Sequence, residues 1–208
     1  MNGADLASRG PAVTFATTEH FCLQTARAVT VSEANGRAGL YLAALSSSLI
    51  ALAFIAQVSR LGATFYAFAL ILLPVLAYSG VVTFRRLVQS SIEDLAYAHR
   101  IALLRSFYLR HSPELEPYMV VAAAEQLAPT GWQLMLTTAG TVAVVNSIVL
   151  AACAGLGLGA AGVDDVAIPL VVGAVTAVGA FGWHERHHRR ERDTYRPDAV
   201  DRAAIVIA

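Results

Sequence analysis

The chain has 208 residues, 56% of them hydrophobic and 14% charged, with a formal net charge of zero and a mean hydropathy of +0.56. This balance excludes an ordinary soluble domain, a disordered chain and a basic nucleic-acid-binding domain. All fifteen basic residues are arginine and none is lysine, which together with the Ala, Val and Leu content points to a GC-rich genome.

Residues 1–38 contain Asp5, Glu19 and Glu33 and lack an early apolar core, so they do not read as a secretory signal. Gly3, Gly10 and Pro11 predict a flexible tail over residues 1–16. Thr17 or Thr18 is the expected cap of a lead-in helix reaching about Arg37. Phe21, Cys22, Thr25, Ala26 and Val29 give it a modest apolar stripe, and Glu33 and Arg37 are spaced for an ion pair. This helix reads either as interfacial or as the start of the first span.

Gly39 to Ser59 carries no ionisable side chain. At 1.5 Å per residue it covers about 30 Å, enough to cross a hydrocarbon core. Arg60-Leu61-Gly62 is too short to be anything but the turn of an antiparallel hairpin. The second span, Ala63 to Phe84, has Phe65 and Tyr66 at one end and Phe84 at the other, with Pro74 as an expected kink. Arg85-Arg86 follows, and the helical pattern continues to about His111 through Val88, Ile92, Leu95 or Ala96, Leu103 and Phe107. Glu93 and Asp94 have no base four positions along, so their partners must come from another helix, a second subunit or water. Ser112-Pro113 ends the helix, and Pro117 is the expected start of a short helix to about Leu127, before Pro129.

Gln133 to Gly159 is the third span, with Trp132 at headgroup level and Asn146 as its one strongly polar side chain. A lone asparagine in hydrocarbon favours an interhelical hydrogen bond. Its outer half is rich in Ala and Gly, so a neighbour can approach closely. Gly162-Val163-Asp164-Asp165 is the second outer turn, and Val166 to Trp183 is the fourth span, with Gly173 and Ala177 as a small-xxx-small pair. His184 to Ala208 is a charged tail. The chain thus divides into a lead-in segment (1–38), a first hairpin (39–84), a connector (85–131), a second hairpin (132–183) and a basic tail (184–208).

Arginine is placed unevenly. Five arginines lie in 85–110 and six beyond the fourth span, whereas the first outer turn has only Arg60 and the second has none. The positive-inside rule then puts both termini and the connector in the cytoplasm of a cell whose plasma (inner) membrane holds the spans. Cys22 and Cys153 give no disulfide framework.

Two patterns suggest chemistry. His184-Glu185-Arg186-His187-His188 matches H-E-x-x-H, in which His184 and His188 would hold zinc and Glu185 would activate water. Its variable positions are charged or basic and no further ligand follows, so the alternative reading is a juxtamembrane basic cluster, with Arg186, Arg189 and Arg190 on anionic lipid headgroups. Gly157-x-Gly159-x-x-Gly162 follows a membrane helix rather than a strand and carries no dinucleotide reading. The spans hold no Asp, Glu, Arg or His, which argues against proton relays and ion-coupled transport. Ser46, Ser47, Ser48 and Asn146 are the leading candidates for interhelical contact or pore lining, and Gly173 for helix contact.

The segment Arg86-Leu87-Val88-Gln89-Ser90-Ser91-Ile92-Glu93-Asp94, then Arg105-Ser106-Phe107-Tyr108-Leu109 and Pro113-Glu114-Leu115-Glu116-Pro117-Tyr118, resembles a family of multi-pass membrane proteins of actinobacteria with no assigned activity. The likeness covers about residues 83–120. It implies a membrane protein and places no role on any single residue.

The reading from sequence is an all-α integral membrane protein with four transmembrane helices in two hairpins and a cytoplasmic helical connector. It is expected to be non-enzymatic, to need no metal or cofactor and to bind no nucleic acid. It is expected to self-associate through Gly155 and Gly173 and to act as a channel-like pore or as a scaffold for a cytoplasmic protein partner. The alternatives are a zinc metalloenzyme built on His184, Glu185 and His188, and a small carrier dependent on Asn146.

Overall fold

The computed structural model describes residues 3–119, 137–163 and 165–195, with side chains from residue 13 onward. Among the described residues every regular element is helical. In order these are α1 (Gly3–Ser59), α2 (Ala63–His111), a 3₁₀ turn (Pro113–Tyr118), α3 (Thr138–Ala160) and α4 (Ala167–Thr194). All four α-helices are long and apolar enough to cross a membrane.

Two of them are much longer than a span. α1 has 57 residues and α2 has 49, so at 1.5 Å per residue they measure about 85 and 75 Å. The expected tail over residues 1–16 is corrected: α1 begins at Gly3. Pro11 removes one donor from the ladder, and the alanines around it keep helix propensity high. Thr17 and Thr18 are not caps. Their hydroxyls donate to the carbonyls of Val13 (2.8 Å) and Thr14 (3.0 Å), the back-bonded state of a mid-helix threonine. Nor is the lead-in helix separate, since α1 passes through Gly36 and Gly39 into the first span. α2 runs through Pro74 and Arg85-Arg86 to His111, as the sequence indicates.

The chain falls into two compact units. One comprises residues 34–89 and 131–194. Its core is formed by Leu45 and Leu52 of α1, Ala69, Leu73, Leu76 and Ala77 of α2, and Val149 of α3. α3 and α4 pack through their small residues. A side chain added at Gly155 would meet the Pro169 carbonyl oxygen at 3.3 Å, and one at Gly173 would meet that of Ala151, also at 3.3 Å. Gly155 and Pro169 each lie seven positions from Gly162, and Ala151 and Gly173 each lie eleven. The second hairpin therefore folds symmetrically about its turn. Gly173 is interhelical, as expected, but it and Gly155 are occupied within the chain rather than facing a second copy.

The other unit comprises residues 1–33, 90–130 and 195–208. Here α1 and α2 are tied by a bidentate ion pair, with Arg27 Nε 2.7 Å from Asp94 Oδ1 and the second guanidinium nitrogen 3.2 Å from Oδ2. The partner that Asp94 needed is thus α1. Tyr108 Oη donates to the Ala16 carbonyl at 2.7 Å, and its ring lies 5.8 Å from that of His20. These ties choose which face of α1 is packed. Leu23 is buried, with His20, Arg27 and Thr30 half-buried beside it. The expected apolar stripe is turned outward: Phe21 is 72% exposed, and Cys22, Thr25 and Val29 are exposed. Beyond His111, Pro117 lies inside the 3₁₀ turn rather than at a helix start, and Met119 is extended. The rest of the predicted helix to Leu127 lies outside the described residues.

The turns after α1 and after α3 share one construction. After α1, the Leu61 N–H reaches the Ala56 carbonyl (3.2 Å), with Arg60 at φ 49° and Leu61 at φ 61°. After α3, the Val163 N–H reaches the Leu158 carbonyl (3.2 Å), with Gly162 at φ 85°. Both are Schellman closures, in which the residue after the helix cap is left-handed. Only the second uses the residue that adopts this conformation freely. Two side chains start the next helices. Thr137 accepts from the Gly140 N–H at 3.1 Å and caps α3, which therefore starts five residues after the expected Gln133. Asp165 accepts from the Ala167 N–H at 2.9 Å and caps α4. α4 does not stop at Trp183. It continues as helix to Thr194, so the first part of the presumed basic tail is a helical extension beyond the fourth span.

Gly162→Ala should lower stability by about 1 kcal/mol or slightly more, whereas Arg60→Gly, which removes a left-handed side chain, should not lower it. Unfolding of the detergent-solubilised protein by sodium dodecyl sulfate, followed by circular dichroism, measures both.

Candidate functional site

Two side-chain clusters in the unit of residues 34–89 and 131–194 carry the polar chemistry. The first is at the meeting point of α1, α2 and α3. Asn146 is fully buried, and Tyr41, from α1, donates its hydroxyl to Asn146 Oδ1 at 3.2 Å. α2 contributes an absence: a Cβ built at Gly80 would come within 2.0 Å of Asn146 Oδ1 and 2.7 Å of Tyr41 Oη. A side chain there would require Asn146 and Tyr41 to shift. Asn146 Nδ2 is buried and finds no acceptor among the described residues. Asn146 therefore makes the interhelical bond its setting predicts, through one of its two polar atoms.

The hydroxyls expected near it are not arranged as a lining. Ser46 and Ser47 are exposed on α1 and donate to the carbonyls of Leu42 (2.9 Å) and Ala43 (3.0 Å) of their own helix. Ser48 is half-buried. Ser79 and Thr141 also return their hydroxyls to their own helices. Within one chain these residues do not enclose a polar channel.

The second cluster lies where Phe84 of α2 meets α4. His184 is fully buried. Its ring stands edge-on to Phe84 at 4.5 Å and to Trp183 at 5.0 Å. His187 stacks on Trp183 with centroids 5.5 Å apart and planes 3° apart, and lies 6.3 Å from Phe84. His184 Nδ1 is 2.7 Å from the Ala180 carbonyl oxygen. A carbonyl only accepts, so Nδ1 carries the proton, and Nε2 of the neutral ring holds an unshared pair. Nε2 is buried without a partner among the described residues. His188 is also buried.

The H-E-x-x-H pattern is thus helical and its two outer histidines share a face, but that face is packed. Glu185 points elsewhere and pairs with Arg189. A metalloenzyme needs an open coordination position and a free carboxylate beside it. Among the described residues, no three His, Cys, Asp or Glu side chains gather as a ligand set. Of the arginines expected on headgroups, Arg186 and Arg190 are exposed, and Arg189 is exposed but paired with Glu185.

Tyr41, Gly80, Phe84 and Trp183 are members of these clusters that sequence reasoning misses. Tyr41, Phe84 and Trp183 sit near span ends and look like interfacial aromatics, while Gly80 lacks a small residue four positions away to mark it as a contact. No family model, curated protein or solved structure matches the chain.

Gly80→Ala should destabilise the protein by about 1–3 kcal/mol through overpacking. Adding Asn146→Ala should return part of that loss, a coupling that a double-mutant cycle in unfolding detects. The second cluster should respond to pH. His188, five positions beyond the fourth span, is held below the usual imidazole value of 6.5 by burial, then by Arg192 and His187. Its neutral form is the packed form, so its contribution is complete above pH 6.5 and is lost as pH falls below that value. In a Trp132→Phe background, Trp183 emission should change as pH is lowered from 8 to 5, and the change should flatten in His184→Gln/His188→Gln.

Proposed function

We propose that the chain is a non-enzymatic, self-associating inner-membrane scaffold that presents residues 13–33 and 90–111 to a cytoplasmic protein partner. The observation that carries this reading is the continuity of α1 and α2. Each runs without a break from an apolar span into a charged segment, and those segments are locked together by Arg27–Asp94 and Tyr108–Ala16. Phe15 and Phe21, outside the apolar span, are largely exposed, as expected of a surface that a partner covers. The arginine distribution supports a cytoplasmic location for this segment and for both termini. The likeness of residues 83–120 to actinobacterial multi-pass membrane proteins agrees with the membrane setting.

Self-association draws support from a different set of glycines than the sequence suggests. Gly36 and Gly39 on α1, and Gly179 on α4, face open space among the described residues. Glycine costs roughly 1 kcal/mol in a helix interior, and close approach of a second helix is one use that offsets it. The pore reading needs a polar surface between copies, and the back-bonded Ser46, Ser47 and Ser79 do not favour it.

Native mass spectrometry of the detergent-solubilised protein should give a mass that is a whole multiple of the chain. Gly39→Leu and Gly179→Leu should shift it toward the monomer, while Gly155→Leu and Gly173→Leu should instead unfold the second hairpin. A monomeric wild type overturns self-association, and ion flux into liposomes above the lipid background overturns the scaffold in favour of a pore.

A further inference from the structure

Both helices that leave the bundle at Phe84 and Trp183 do so through arginine. Arg85 and Arg86 follow Phe84 on α2, and Arg186, Arg189 and Arg190 follow Trp183 on α4. The contacts of Phe84 with His184 and His187 bring these two exits together. The acids nearby do not balance them. Glu185 is taken by Arg189, and Glu191 lies 3.9 Å from His187. Among the described residues Arg86 bonds to the neutral side chain of Gln89, at 2.8 Å. Arg85, Arg186 and Arg190 are exposed and pair with no described carboxylate. Asp193 is exposed further along α4.

An apolar track leads up to this basic group. Val171, Val175, Val178, Gly182 and Arg186 follow one another at spacings of three and four, so they share one face of α4. The three valines are largely exposed: 62%, 67% and 75%. A Cβ at Gly182 would meet nothing, so the track is open immediately below Arg186. Trp183, 46% exposed, stands beside it with its indole stacked on His187.

We infer that this junction is a binding site for an anionic phospholipid, with its phosphate held by Arg186 and Arg190 of α4 and one acyl chain laid along Val171, Val175, Val178 and Gly182. Arg85 and Arg86 of α2 add charge at the rim. The occupant is a lipid rather than a soluble phosphate because the cationic group crowns a hydrocarbon track on a helix apolar enough to span a membrane. The fork of a guanidinium matches the phosphate geometry, and basic pockets between helices at the membrane edge select acidic headgroups. The site stands independently of the scaffold reading, since it involves none of residues 13–33 or 90–111.

The test is native mass spectrometry of the purified full chain in neutral detergent, titrated with phosphatidylglycerol or phosphatidylcholine. The anionic lipid should be retained preferentially. Each basic residue near an acidic surface is worth about fivefold in affinity, so Arg186→Gln/Arg190→Gln should weaken phosphatidylglycerol binding about 30-fold. Arg85→Gln/Arg86→Gln should also weaken it, and Arg186→Lys/Arg190→Lys should keep most of it. Gly182→Phe, which fills the track without changing charge, should weaken it too, and this variant decides the matter if the glutamine variants do not fold. Equal retention of the two lipids overturns the proposal. So does unchanged binding in Arg85→Gln/Arg86→Gln, which would reduce the site to a basic tail, or displacement by soluble glycerol phosphate, which would make it a free-anion site.

Discussion

Asn146 carries two polar atoms to a buried position, and the packing of α1, α2 and α3 follows from how one of them, Oδ1, is met. Hydrocarbon offers no substitute partner, so Tyr41 must come close enough to donate to Oδ1. That approach in turn leaves no room for a side chain on α2, and Gly80 supplies the gap. Three residues on three helices therefore constrain one another. The surrounding Leu, Ala and Val would pack acceptably in several registers, because lipid tails are as apolar as they are. The polar contact is what distinguishes one register from the rest.

The second hairpin settles its register by a different means. α3 and α4 meet through backbone and small residues, with Gly155 against Pro169 and Gly173 against Ala151. This is packing by close approach, which in a bilayer takes the place of the hydrophobic drive available in water. Much of α4 is then left facing outward, including Val171, Val175 and Val178. In water such a surface would be a liability; against acyl chains it is neutral.

The class of the fold was legible because the constraints behind it act locally. Four apolar runs of adequate length, a three-residue turn at Arg60-Leu61-Gly62 and the absence of any strand pattern lead directly to helices. The long α2 was legible too, since no Gly or Pro interrupts residues 85–111. What escaped was set at a distance. Gly3, Gly10 and Pro11 look like breakers, yet α1 runs through them. The stripe of Phe21, Cys22 and Val29 looks like a packing face, yet Arg27, meeting Asp94 from 67 positions away, turns it outward. The spacing of His184 and His188 puts them on one helix face, but only Phe84 shows that the face is filled. Periodicity reports which residues share a side of a helix, and it takes the partner to say which side is inside.

The turn between α1 and α2 has a further consequence as a measuring device. Tyr41 lies twenty positions before Leu61 and Gly80 nineteen after it, so both sit about 29–30 Å along their helices from the same point. Arg60 and Leu61 hold their left-handed conformations there through bonds to fixed carbonyls, which leaves the turn no slack. A single residue inserted anywhere between Tyr41 and Gly80 moves one of them by about 1.5 Å and rotates it by roughly 100°. Length therefore carries information in this hairpin even where the side chains are interchangeable: residues between the turn and the polar contact tolerate exchange of one apolar side chain for another far better than the gain or loss of a position.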